Sequence, residues 1–147
     1  MKRLIKFSCT PVGCVVLKFW QMPQIVLGII VQGIYMLIDK TSFQYASILT
    51  CSGNYPYVVS IVVSKKMGGG LSLGDCIILN NAYTSSSLLH ESGHCLQSML
   101  LGWFYLPIIG LSSILWASWH ILTKSKRDYN SFWTERWADG LAHKYIS

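Results

Sequence analysis

His90, Glu91, Ser92, Gly93 and His94 spell HExxH, and that spacing defines what chemistry they could share. On a helix, residues at i and i+4 lie one above the other. The imidazoles of His90 and His94 can therefore take two corners of a zinc tetrahedron. Glu91 lies beside them, placed to act as general base toward water activated at the metal. Gly93 lets the metal, a substrate or another backbone come close. The chain has four His and two Glu in 147 residues, so chance is a poor explanation of the string.

Zinc chemistry of this kind needs a third protein ligand and leaves the fourth position open. Gln97 and Leu100 stand where a metzincin HExxHxxGxxH would continue, so the third ligand must come from further along. His120, Asp128, Glu135, Asp139 and His143 are the candidates. Glu135 is favoured: it is the other glutamate, and it opens the segment Glu135-Arg136-Trp137-Ala138-Asp139. On a helix Glu135 and Asp139 share a face, so one carboxylate can ligate while the other holds the free nitrogen of a ligand imidazole. Ala138 beside them leaves room for a close helix crossing.

HESGH followed by ERWAD resembles the gluzincin pattern HExxH…ExxAD of membrane-embedded prenyl-protein and heat-shock metallopeptidases and their miniature relatives. Carried over by position, the resemblance implies His90, His94 and Glu135 as ligands of Zn2+, Glu91 as base and Asp139 as support to a ligand. The large multi-span body of those enzymes is missing, and no residue matches an oxyanion stabiliser. FWQMPQ, LSLGDCIIL, HESGHCLQSMLLGWFYLPIIGLSS and FWTERWAD together resemble a family of short, uncharacterised bacterial membrane proteins carrying HExGHxxQS. That likeness covers nearly the whole chain. The two resemblances imply a minimal membrane-bound zinc metalloendopeptidase of open peptide or protein substrate. The alternatives are a zinc-stabilised membrane interaction module without turnover, and an apolar membrane protein carrying the string by accident.

The elements that must position these residues can be read around them. Asn80 to Ser87, NNAYTSSS, is rich in N-cap types, so the HExxH helix should start there and run on through LLHESGHCLQSMLLGWF. A shorter helix over SFWTERWADGLAHKYI should be capped by Asn130 or Ser131. Between them, Met99 to Leu122 carries no charge. A single crossing of a bilayer there would put His94 and Glu135 on opposite sides. Pro107 and Gly110 fall in its middle, which predicts a helical hairpin with halves of about 15 Å, entering and returning.

Before the helix, FQYASILT, YVVSIVVS and LSLGDCIIL are rich in β-branched and aromatic residues and separated by turn signals. They predict a three-stranded antiparallel meander. Its last strand, Leu71 to Leu79, could offer an open edge to an extended substrate. Phe19 to Ile38 is a charge-free run of twenty residues, a membrane helix that either spans or re-enters. Gln21, Gln24 and Gln32 fall on one side of it, and Pro23 with Gly28 could break it. The basic start before an apolar stretch mimics a signal peptide, but Lys18 interrupts the apolar region, so it is read as retained.

Composition agrees. Charged residues make up 12% of the chain and hydrophobic ones 52%, against about 25% charged in ordinary soluble domains. The net charge of +6 does not point to nucleic acid, because Lys2, Arg3, Lys6, Lys18, Lys40, Lys124, Lys126 and Arg127 sit at the edges of apolar runs. That placement suits anionic lipid head groups. The five scattered cysteines read as buried free thiols. The expected whole is one α+β membrane-associated unit over 1–147. It divides into a membrane segment (1–40), a β-meander (41–80), the HExxH helix with its apolar hairpin (81–122) and a ligand helix (123–147). A bacterial inner-membrane location is expected. The basic clusters favour a cytoplasm-facing site, which holds for both clusters if residues 19–38 re-enter.

Overall fold

The computed structural model describes residues 1–49, 56–123 and 131–146. Asp128, the 124–127 basic cluster and the Asn130 cap lie outside them. Six α-helices and a four-stranded mixed sheet make up an α+β fold among the described residues. Helices α1 (Lys2–Ser8), α2 (Pro11–Trp20) and α3 (Met22–Ile38) lead into β1 (Ser42–Leu49) and β2 (Tyr57–Ser64). Then come β3 (Gly70–Leu73), β4 (Cys76–Asn80), α4 (Ser85–Leu101), α5 (Leu111–Thr123) and α6 (Trp133–Tyr145).

The sheet differs from the expected three-stranded antiparallel meander. LSLGDCIIL is two strands, because Gly74, at φ +67°, opens a tight turn with Asp75 that folds it into a hairpin. The order is β1-β2-β4-β3, with β2 and β4 parallel and the other pairs antiparallel. The apolar arm CIIL is buried throughout and sits inside the sheet, while GLSL takes the edge.

Strand alternation sorts the sheet into two covered faces. Val59, Ile61, Ile77 and Leu79 join Cys95, Leu96 and Met99 of α4 in the larger apolar cluster. On the opposite face, Ser60 and Cys76 meet α3. Ser60 Oγ donates to Gln32 Oε1 (3.1 Å), and a Cβ at Gly28 would lie 2.6 Å from Cys76 Cβ. The result is α3, then sheet, then α4 with α6.

The apolar run from Phe19 is not one straight helix. Phe19 and Trp20 end α2, Pro23 sits in the first turn of α3, and the two helices meet at 79°. Gln21, Gln24 and Gln32 do line one side of the chain there, and all are buried. The expected hairpin break at Pro107 and Gly110 also moves. The chain turns at Gly102, φ +52°, where a side chain would run into the Trp20 ring. A 3-10 turn (Gly102–Phe104) and a π turn (Leu106–Gly110) follow, and Pro107 sits in the first turn of the helical stretch that continues as α5. Leu106–Thr123 is by itself long and apolar enough to cross a membrane; α2 and α3 qualify only as a bent pair. Helix α6 starts at Trp133 behind Phe132 with no side-chain cap, not at the expected Ser131. Cys14, Cys76 and Cys95 are free thiols, while Cys9 is disulfide-bonded, contrary to the expectation of free thiols throughout.

Candidate metal centre

Thr84 caps α4, its hydroxyl accepting from the Ser87 amide while Ser87 Oγ accepts from the Thr84 amide. This fixes the start of the helix two turns before the histidines. Further on, α4 is buried from Glu91 to Met99. Helix α6 lies antiparallel on it, with Gly93 against the Ala138 carbonyl, where a Cβ on Gly93 would collide. The small pair expected from the sequence is therefore the crossing point, and it lets side chains one turn away on either helix meet.

His90, His94 and Glu135 converge there. Glu135 Oε2 lies 3.2 Å from His90 Nε2 and 3.3 Å from His94 Nε2. Ligands bound about 2.0–2.2 Å from a tetrahedral zinc stand about 3.3–3.5 Å apart, so the separations fit a shared ion. The far nitrogens are already engaged. His90 Nδ1 bonds Asp139 Oδ1 at 2.7 Å, and His94 Nδ1 bonds Gln97 Oε1 at 2.8 Å. Each acceptor places the ring proton on Nδ1 and turns the Nε2 lone pair toward Glu135. Three electron-rich atoms then face one point, an arrangement that repels itself unless a cation lies between them. These three residues form a group that could hold a metal ion.

The electrostatics without an ion carry the same message, with protons in the cation's place. The Glu135 hydrogen bond, opposed by burial, raises the His90 pKa to about 9. Burial works against the charge on His94, yet Glu135 and Glu91 together raise its pKa. Burial likewise opposes the charge on Glu135, but the two imidazoles outweigh it and hold the carboxyl well below the usual range.

Glu91 points to the sheet side of the centre. Ser72 Oγ donates to Glu91 Oε2 at 2.7 Å, and a Cβ at Gly70 would overlap the other carboxylate oxygen. Burial is the main reason its pKa is raised. Strand β3 thus carries both residues that shape the candidate base. The expected open edge is not free at this point, because the Tyr105 hydroxyl donates to Ser72 O at 3.0 Å.

Of the residues read from sequence, His90, His94, Glu135 and Asp139 come together and Glu91 is adjacent. His120, on α5, and His143, exposed near the end of α6, are not in the ligand group. Sequence reasoning missed Ser72, Gln97 and Thr134. Gln97 Oε1 accepts from His94 Nδ1 and its amide donates to Thr134 O at 2.8 Å; Thr134 Oγ1 donates to Glu135 Oε1 at 3.1 Å. Signals existed for two of them: Gln97 stands three residues past His94, on its helix face, and Ser72 interrupts an apolar strand. The chain matches no protein-family model, no curated protein and no solved structure. The gluzincin likeness is therefore one of motif alone, carried by HESGH and ERWAD.

Proposed function

We propose that the protein is a minimal, membrane-associated zinc metalloendopeptidase. The supporting observation is the convergence of His90 Nε2, His94 Nε2 and Glu135 Oε2, with both Nδ1 atoms tied from behind. Two imidazoles and one carboxylate favour zinc among available divalent ions. A bound ion would supply Lewis-acid polarisation of the scissile carbonyl and of the attacking water. His90, His94 and Glu135 hold it, and Asp139 and Gln97 fix the two rings. Glu91 takes the proton from the attacking water and returns it to the departing amine nitrogen. Ser72 keeps the Glu91 carboxylate from swinging away, and burial makes that carboxylate the stronger base. Exposed apolar side chains on α2, α3 and α5 are the surface this reading assigns to membrane lipid; nucleic acid has no part in it.

A second reading has its own observation. Glu91 Oε2 is already engaged by Ser72, as a purely structural carboxylate would be, which favours a zinc-stabilised interaction module without turnover. One set of variants separates the two. Elemental analysis of the detergent-purified protein should find about one zinc per chain, lost in His94→Ala and in Glu135→Ala. Glu91→Gln should retain the zinc and abolish cleavage of a peptide library. Zinc retained in Glu135→Ala would remove the third ligand from the proposal. Turnover that survives Glu91→Gln would remove the mechanism.

A further inference from the structure

We infer that α3 lies along the membrane surface without crossing it, with the metal centre on the opposite face of the sheet. The inference builds on the membrane association proposed above and defines its geometry. Helix α3 and strand β2 run side by side. Near their starts, Gln21 Nε2 donates to Tyr57 Oη at 3.3 Å, and at their ends Asp39 Oδ2 accepts from Ser64 Oγ at 2.7 Å. Between those points Gln32 Nε2 donates to Ser60 O and Ile77 O at 3.1 and 3.0 Å. If α3 crossed the hydrocarbon, the sheet would have to cross with it. That sheet is open, and its edge strand β1 exposes Ser42, Gln44 and Ser47. Unpaired strand edges facing lipid leave peptide groups with no partner and do not occur in the hydrocarbon region. The crossing is therefore excluded by the sheet, not by the helix.

What α3 turns outward fits a leaflet instead. Its glutamines are buried against protein, while Val26, Ile29, Ile30, Ile34 and Leu37 are exposed. An apolar face of this kind lies about 5–10 Å into the head-group boundary. The patch continues past the bend: Trp103 Nε1 donates to Phe19 O at 3.2 Å, which sets exposed Phe19, Trp103 and Phe104 beside one another. Lys18, on α2 at this surface, is paired with Asp75 of the β3–β4 turn. The basic side chains are complementary to anionic lipid. Lys2, Arg3 and Lys6 lie before the patch, and Lys40, Lys65 and Lys66 lie at the far end of α3, all exposed. Because α4 and α6 cover the opposite face of the sheet, the centre lies on the side of the sheet away from the α3 patch.

Added cysteines test this. Lys2→Cys, Ile30→Cys and Lys40→Cys variants of the full chain, each checked for wild-type zinc content, are exposed to a membrane-impermeant maleimide. The labelling is done in spheroplasts and in inverted vesicles, and labels are counted by mass against the wild type. The expected result is one extra label for Lys2→Cys and Lys40→Cys in the same preparation, and none for Ile30→Cys until detergent is added. Labels for Lys2→Cys and Lys40→Cys in opposite preparations would mean that α2 and α3 cross, which overturns the inference but leaves membrane association standing. Release of the protein by a carbonate wash would overturn both, without touching the metal centre, whose own test is zinc content.

Discussion

Gln32 of α3 and Glu135 of α6 are both sealed from solvent, 5% and 4% exposed, yet they are satisfied in different ways. Gln32 is neutral and complete: its amide donates to two sheet carbonyls and its oxygen accepts from Ser60. Glu135 is charged and conditional: one oxygen has Thr134, and the other is satisfied either by protons on the two ring nitrogens or by a cation in their place. Burial of a polar group is stable when donors and acceptors balance; a surplus of acceptors needs a cation. The α3 stripe is thus a docking device, and the α4–α6 crossing carries a group that could hold a cation.

The comparison breaks most visibly at the crossing itself. Gly93→Val places a side chain against the Ala138 carbonyl, so α4 and α6 must part and the ligands with them. The expected cost is about 1–3 kcal/mol of stability, with zinc affinity down by more than the roughly 100-fold upper range for losing an outer partner. Gly140→Ala on α6, with no atom within 4 Å of the added Cβ, is the matched control. Denaturant unfolding and chelator competition read the two quantities separately.

A pair of glutamines sharpens it next. Gln97→Leu frees the His94 Nδ1 proton from its acceptor and should weaken zinc about 10–100-fold. Gln32→Leu removes comparable hydrogen bonds on the other face of the sheet and should leave zinc affinity unchanged, while costing about 1–3 kcal/mol of stability. Equal effects on zinc would show that the two regions are not distinct in the way proposed.

How much of this was legible follows the same division. HExxH, Glu135 and Asp139 were readable because helical spacing places side chains on a face without reference to the rest of the fold. Gly93 and Ala138 were readable as small residues awaiting a neighbour. Ser72 stood out as a polar residue in an apolar strand, but its partner was not legible, because it reaches Glu91 only after LSLGDCIIL folds at Gly74, a turn that sequence periodicity read through as one strand. The place of the break near α5 was missed for a related reason. Pro107 looked like an interruption but is tolerated in the first turn of a helix, whereas Gly102 turns the chain because Trp20, distant in sequence, occupies the space. The α3 glutamine stripe was visible, but what it docked against was not.

Titration separates protons from metal at the crossing. The metal-free His90 pKa is raised from 6.5 to about 9, so the stability it contributes is complete below about pH 6.5 and is lost as the pH rises through about 9. Glu135, lowered, contributes stability above its ordinary 4.5 that is lost as the pH falls through its folded value. Glu91, raised by burial, runs the other way from Glu135. Thermal unfolding with a chelator present should therefore show falling stability from about pH 6.5 to 9. The added stabilisation by zinc should grow over the same range, because the ion displaces ring protons, with affinity rising up to about tenfold per pH unit for each proton released. A zinc increment independent of pH would place the ion elsewhere.

The smallest effect tests the docking region alone, on two glycines five residues apart in α3. Gly28 faces the sheet: an added Cβ would lie 2.6 Å from Cys76 Cβ and 2.8 Å from Leu73 O, and backbone cannot yield as a side-chain tip can. Gly33 faces outward, with no atom within 4 Å of an added Cβ. Gly28→Ala should cost stability through overpacking, by about 1 kcal/mol or more. Gly33→Ala should gain roughly 0.5–1 kcal/mol, since alanine loses less backbone freedom on entering a helix. Opposite signs on one helix, with zinc affinity unmoved in both, fix which side of α3 packs on the protein and which faces outward. The same sign would mean that α3 does not lie on the sheet, and the argument against its crossing the bilayer would go with it.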